Sequence, residues 1–213
     1  MDHFVITIAR GYGSSGSAIG RALAAALHVD YLDRKLLRLA SDASGIHERI
    51  FGQADETPSL RMLIRAAKRV ENEDVLPPDS DDFISNENLF NYQAKVIREI
   101  AKQQSCVIIG RCADYILRDF DNAVRVHICA PHSARVRNIM ERNDMEEREA
   151  AHLVDLTDKR RAAYYRYFTG QEWNSADNYD LCLNSHALGR EKCVALIQEY
   201  LNLKFDQSPI GTP

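Results

Sequence analysis

A β-rich apolar run, Phe4 to Ile8, leads into a loop holding Gly11, Gly13 and Gly16, and a helical pattern opens directly behind it. That order constrains the chain more than any other feature. Glycine lets the backbone approach an anion closely, and the N–H groups of the loop and first helical turn point at it. The spacing from Gly11 to Gly16 matches the first six positions of G-x-x-x-x-G-K-[ST]. Ser17 then stands where Lys is expected, and Ala18 where Ser or Thr is expected. A phosphate cradle is therefore present without its usual cation and metal-binding hydroxyl. Read alone, the run also fits a tight turn; the strand–loop–helix context favours the cradle.

The elements alternate. Strand 4–8 leads to helix 17–27, and strand 29–32 to helix 34–43. Residues 45–58 read as irregular, followed by a helix over 59–74 and a Pro- and Asp-rich linker over 76–82. Ser85 is placed to cap a helix running to Gln104. Further strands are expected at 106–109, 124–129 and 179–183. Helices are expected from Pro131, in a first turn, to Arg142, and over 145–168 and 190–203. Strands separated by helices predict an α/β fold with about five parallel strands, covered on both faces, the first strand central and ligands at the strands' carboxyl ends. The 213 residues fit one domain over 1–207, with an acceptor-side helical insertion at 45–84, a mobile lid at 132–170, and a flexible tail at 208–213.

The hydrophobic content of 45% and charged content of 27% are those of an ordinary globular protein. A net charge of −4 argues against a general nucleic-acid binder. No apolar run is long enough to cross a membrane, and the N-terminus enters a strand at once, so a cytoplasmic protein is expected. Self-association is compatible with the sequence. The five cysteines form no C-x-x-C pair; Cys106, Cys129 and Cys182, in or beside strands, are expected to be buried reduced thiols. No metal ligand set is assigned, and none of the seven scattered histidines receives a catalytic role.

Three further clusters carry chemistry. In Tyr31-Leu32-Asp33-Arg34 a carboxylate and a guanidinium follow a short strand; Asp33 reads either as a ligand or as a helix N-cap. In Val107 to Arg111 an apolar strand ends in Gly110 and Arg111, where an arginine fork can grip a phosphate or form a surface ion pair. Asp158 and Arg161 share a helix face, either to hold a nucleotide or as a local ion pair. Arg135, Arg137 and Arg142 lie on the preceding helix, an arrangement suited to a lid over phosphates.

Taken together these segments resemble the cytidylate kinase-like proteins, within the nucleoside monophosphate kinase group of P-loop folds. The resemblance covers roughly residues 4–203, through ITIARGYGSSGSAIGRALA, VDYLDRKLL, VIIGRCADYIL, LTDKRRAAYYRYFTGQEW and NYDLCLNS. It implies a three-layer α/β/α fold and ATP-dependent phosphoryl transfer to a nucleoside monophosphate, CMP or dCMP first, with ATP and Mg2+ required. Gly11, Tyr12, Gly13, Ser14, Ser15, Gly16, Ser17 and Ala18 would then bind ATP. Asp33, Arg111, Asp158 and Arg161 would bind the acceptor, and Arg10, Arg135 and Arg137 would serve catalysis. The chain departs from the pattern at Ser17, Ala18 and Cys112. Two alternatives therefore stand beside a nucleotide kinase: a nucleotide-binding regulatory protein impaired in catalysis, and a kinase for another small metabolite.

Overall fold

The computed structural model describes residues 3–54, 75–78, 80, 82 and 84–205. Strand β1 (Val5–Arg10) lies at the centre of a five-stranded parallel sheet. It pairs on one side with β3 (Cys106–Ile109) and on the other with β4 (Ala123–Cys129). The short β2 (Asp30–Leu32) borders β3, and β5 (Leu181–Asn184) borders β4, giving the order β2-β3-β1-β4-β5. Neighbouring strands that are remote in sequence require crossovers, and the helices supply them. They are α1 (Gly16–Ala26), α2 (Arg34–Ser44), α3 (Glu48–Ala54), α4 (Asn86–Gln103), α5 (Ala113–Ile116), α6 (His132–Asn143), α7 (Glu147–Thr169), α8 (Ser185–Leu188) and α9 (Arg190–Phe205).

Side chains alternate across each strand, so β1 and β3 divide their apolar residues between two cores. Ile6, Ile8, Val107 and Ile109 pack with Ile19 and Leu23 of α1 and Ile197 and Leu201 of α9. Val5, Cys106 and Ile108 face the opposite way, into a core with α2, α4 and the aromatic end of α7. A third cluster, Val136, Ile139, Ala150 and Val154, joins α6 to α7 and takes in Tyr12 from the loop after β1. The α/β class, the parallel sheet and the central first strand are as the sequence predicts. Ser85 caps α4, its Oγ accepting from the Asn88 N–H at 3.2 Å.

Several expectations need correction. Residues 48–54 are helical rather than irregular. Phe51 is fully buried, Ile46 nearly so, and His47 Nδ1 accepts the Arg49 N–H at 3.1 Å, so a buried anchor and a local cap outweigh weak periodicity. Pro131 precedes α6 with an extended ψ of 143° instead of occupying its first turn. The last strand starts at Leu181. Tyr179 turns its ring onto His127, with centroids 5.0 Å apart, and Asp180 forks onto Arg125. Cys182 is exposed, while Leu183 beside it on β5 points to the opposite face and into the core. The start of the expected linker is pinned, with Leu76 N–H donating to Asn88 Oδ1 at 2.7 Å. The helix expected over 59–74 lies outside the described residues.

Candidate functional site

The loop after β1 is shaped by backbone conformation first. Gly13 has a φ of 81° and Ser15 a φ of 63°, both left-handed. A Cβ on Gly13 would lie 2.6 Å from the Arg135 carbonyl oxygen, and one on Gly16 2.5 Å from Arg10 Cβ. Glycine is thus a packing requirement at both positions, and at Gly13 a conformational one as well.

Side chains from distant elements hold the loop, Arg135, Asp158 and Ser185 outside the cleft lining and Asn138 and Arg161 within it. Arg161 Nη1 donates to the Arg10 carbonyl at 3.1 Å, Arg135 Nη1 to that of Tyr12 at 3.3 Å, and Asn138 Nδ2 to that of Gly13 at 2.8 Å. Ser185 Oγ donates to the Ser14 carbonyl at 2.7 Å, and the Tyr12 N–H donates to Asp158 Oδ1 at 2.8 Å. Across a trans peptide, a carbonyl and the next N–H point in opposite directions. Turning the Tyr12 and Ser14 carbonyls inward therefore turns the Gly13 and Ser15 N–H groups outward, beside the free amides that open α1. Gly13, Ser15, Gly16 and Ser17 line a cleft of about 370 Å³.

Five arginines, Arg10, Arg21, Arg142, Arg161 and Arg190, line that cleft against one carboxylate, Glu141. Arg142 Nη2 donates to the Tyr12 hydroxyl at 2.7 Å, and Arg161 Cζ stands 5.6 Å from the Tyr12 ring. The excess of positive charge and the positive end of α1 both select an anion, and the size suits a polyphosphate. For a divalent cation the lining offers the Ser15 and Ser17 hydroxyls and Glu141. That set fits Mg2+ held mainly by phosphate oxygens and water. Among the described residues, no three His, Cys, Asp or Glu side chains converge as a metal-binding group.

A second, narrower cleft of about 20 Å³ lies at the end of β3. Gly110, Arg111 and Cys112 have φ values of 68°, 60° and 53°. Three successive left-handed residues, two of them with side chains, store strain of about 1–3 kcal/mol at each non-glycine position. The turn buries Arg111, only 4% exposed, with Nη1 on Gln93 Oε1 at 3.4 Å and Nη2 3.9 Å from Asp33 Oδ1. Asp114, Tyr164, Tyr165 and Trp173 complete the walls. Asp114 accepts from the Tyr165 hydroxyl at 2.6 Å. Burial pushes its carboxyl up to about 6, although the Tyr165 bond pulls the other way. Arg10 and Arg161 line both clefts.

The structure gathers most of the sequence-predicted residues here, in roles set by their neighbours. Gly11, Tyr12, Gly13, Ser15, Gly16, Ser17, Ala18, Arg10, Arg111 and Arg161 line one cleft or both, whereas Ser14 is fully buried and lines neither. Asp33 sits at the N-cap position of α2 without a side-chain capping bond, facing Arg111 and the Tyr31 hydroxyl. Asp158 and Arg135 form an ion pair at the back of the loop, in the lining of neither cleft. Arg137 is exposed and also lies outside both linings. Sequence reasoning missed Arg21 and Arg190. Arg21 could have been found as the i+4 neighbour of Ser17. Arg190 reaches the cleft only because β5 ends beside the loop, a tertiary fact with no local signal.

A loop of backbone amides at the end of a central parallel strand, flanked by arginine-lined clefts, defines a P-loop kinase fold. The chain belongs to the cytidylate kinase-like family, whose model matches residues 5–187. Among solved structures, an uncharacterized protein from Eubacterium ventriosum aligns with a TM-score of 0.70 at 22% identity, covering 95% of this chain and 99% of that one. Shikimate kinase from Bacteroides thetaiotaomicron aligns with a TM-score of 0.50 at 13% identity, covering 93% and 98%. Comparison with curated proteins gives no match. Family and fold together support a nucleotide or small-molecule kinase. Among the described residues, no helix is long and apolar enough to cross a membrane.

Proposed function

We propose that the protein transfers the terminal phosphoryl group of ATP to a nucleoside monophosphate, CMP or dCMP first. The observation that carries this reading is the shared wall: Arg10 and Arg161 line both the wide cleft at the loop and the narrow cleft at Arg111. A phosphoryl group moving from one anionic substrate to another needs positive charge along its whole path.

In this reading the donor's phosphates lie on the outward amides of Gly13, Ser15, Gly16 and Ser17. Arg111, steadied by Gln93 and Asp33, holds the acceptor phosphate. An acceptor oxygen attacks the terminal phosphorus, the bond to the ADP oxygen breaks, and the acceptor becomes a diphosphate. The attacking oxygen is already anionic, so no strong general base is required. Bound Mg2+ would offset charge on the donor's phosphates. Arg10 and Arg161 neutralise the equatorial oxygens during transfer. The narrow cleft must widen to admit a nucleotide, since ligand sites usually measure hundreds of Å³.

The test is incubation with ATP, Mg2+ and each monophosphate in turn, with the nucleotides separated afterwards. CDP or dCDP formed fastest supports the proposal; no diphosphate from any nucleotide overturns it. Ser17 and Ala18 favour a second reading, a nucleotide-binding protein that does not turn over. That reading requires calorimetric binding of ATP together with no product.

A further inference from the structure

We infer that Arg21 supplies the donor phosphates with the positive charge that the loop itself lacks at Ser17. The inference rests on the donor site proposed above and deepens it. The two positions are four apart on α1, so they stack on one face. Long side chains on a helix lean toward its N-terminus. Arg21 therefore projects back over the turn that carries Ser17, and both residues line the wide cleft.

A second contact fixes the direction of the guanidinium. Arg21 Cζ lies 5.5 Å from the centroid of the Tyr31 ring, a cation–π distance. That ring is itself anchored, with its hydroxyl 3.4 Å from both the Ser17 carbonyl and Asp33 Oδ2. Gly20 makes the arrangement possible, because a Cβ there would stand 2.6 Å from Ile109 Cδ1 and 3.3 Å from the Tyr31 ring. Tyr31 is thus a platform that runs from the loop's helix to the acceptor-side carboxylate, with Arg21 lying on it.

Arg10 is the other candidate for the missing charge, and its geometry separates it from Arg21. Its Cβ packs where a Gly16 Cβ would stand, and it lines both clefts. Arg21 lines the wide cleft and not the narrow one. Arg10 thus stands between the substrates, while Arg21 serves the donor alone. Arg21 is exposed, so replacing it leaves the packing of α1 intact.

The experiment is calorimetric titration with ATP and with adenosine, on the full chain, of the wild type, Arg21→Gln, and the double variant Ser17→Arg/Arg21→Gln. Arg118→Gln, beside Tyr115 and in the lining of neither cleft, is the charge control. A charge-assisted hydrogen bond is worth about 1.5–3 kcal/mol, so Arg21→Gln is expected to weaken ATP about 10- to 100-fold. Adenosine binding is expected to stay unchanged, as is ATP binding by Arg118→Gln. Regained ATP affinity in the double variant identifies the defect as a missing charge. Equal ATP affinity in wild type and Arg21→Gln, or no recovery in the double variant, overturns the inference and leaves the donor site standing. A wild type that binds no ATP overturns the donor site itself.

Discussion

The two clefts share a wall and differ in almost everything else. The one beside the loop is about 370 Å³, and its arginines reach it from five separate places in the chain. The one beneath β3 is about 20 Å³, and it keeps Arg111 and Asp114 almost wholly out of water behind Tyr164, Tyr165 and Trp173. Breadth and charge suit the flexible, multiply charged tail of a triphosphate. Strain, burial and aromatic walls suit one discriminated group. The first site is shaped by side chains that hold a loop; the second is ready in charge but closed in space. Affinity for the donor should therefore depend on summed charge, and selection of the acceptor on the work of opening an ordered pocket.

The sharpest way to break this contrast is at the shared wall. Arg161→Ala should lower turnover by about three to five powers of ten, as loss of an arginine acting on the moving phosphoryl group does, measured by product formation under saturating ATP. It should also weaken both substrates in calorimetry. Arg111→Ala should act on one side only: CMP binding falls about 10- to 100-fold while ATP binding holds. Equal loss of both substrates would mean that the clefts do not divide the work.

Asp158→Ala tests the back of the donor loop. It removes the acceptor of the Tyr12 N–H and the partner of Arg135. A stability loss of about 1–3 kcal/mol, read by chemical denaturation, is expected, with weaker ATP binding and little change for CMP. The narrow cleft answers to pH instead. Asp114 has a folded pKa of about 6, raised above its ordinary 3.8 mainly by burial. Between those values the folded state binds more protons than the unfolded chain, so stability falls as pH rises through that window. Asp114→Asn keeps an oxygen for the Tyr165 hydroxyl and removes the titration. Its melting temperature relative to wild type should climb from pH 4 to pH 7, and a flat difference would place the titration elsewhere.

Much of this frame was legible in the chain. The order of apolar runs and helical patterns gave the parallel sheet, and the glycine spacing gave the loop. The positions of Arg111 and Asp33 just past strand ends are legible too. Long-range geometry was not legible. Asp158 and Arg161 share a face, as their spacing requires, yet the face meets the loop, where Asp158 is claimed by Tyr12 and Arg135. Arg135 and Arg137 are two positions apart, so a helix sends them in different directions: one into the loop's back, the other to solvent. The left-handed turn at Gly110 to Cys112 left no mark beyond a glycine. Neither Arg111 nor Cys112 is a residue type that announces a positive φ.

The hydroxyl of Ser185 joins the carbonyls of Ser14 and Cys129, reaching 171 positions back along the chain to do so. Synthesis runs from the N-terminus, so the ribosome delivers the glycine turn long before its fastener. Until then the Ser14 carbonyl lacks this partner, while Arg135, Asn138, Asp158 and Arg161, all earlier in the chain, can already hold the rest of the loop. A nascent chain interrupted before that serine would own every residue of the loop and lack one of the contacts that fix it.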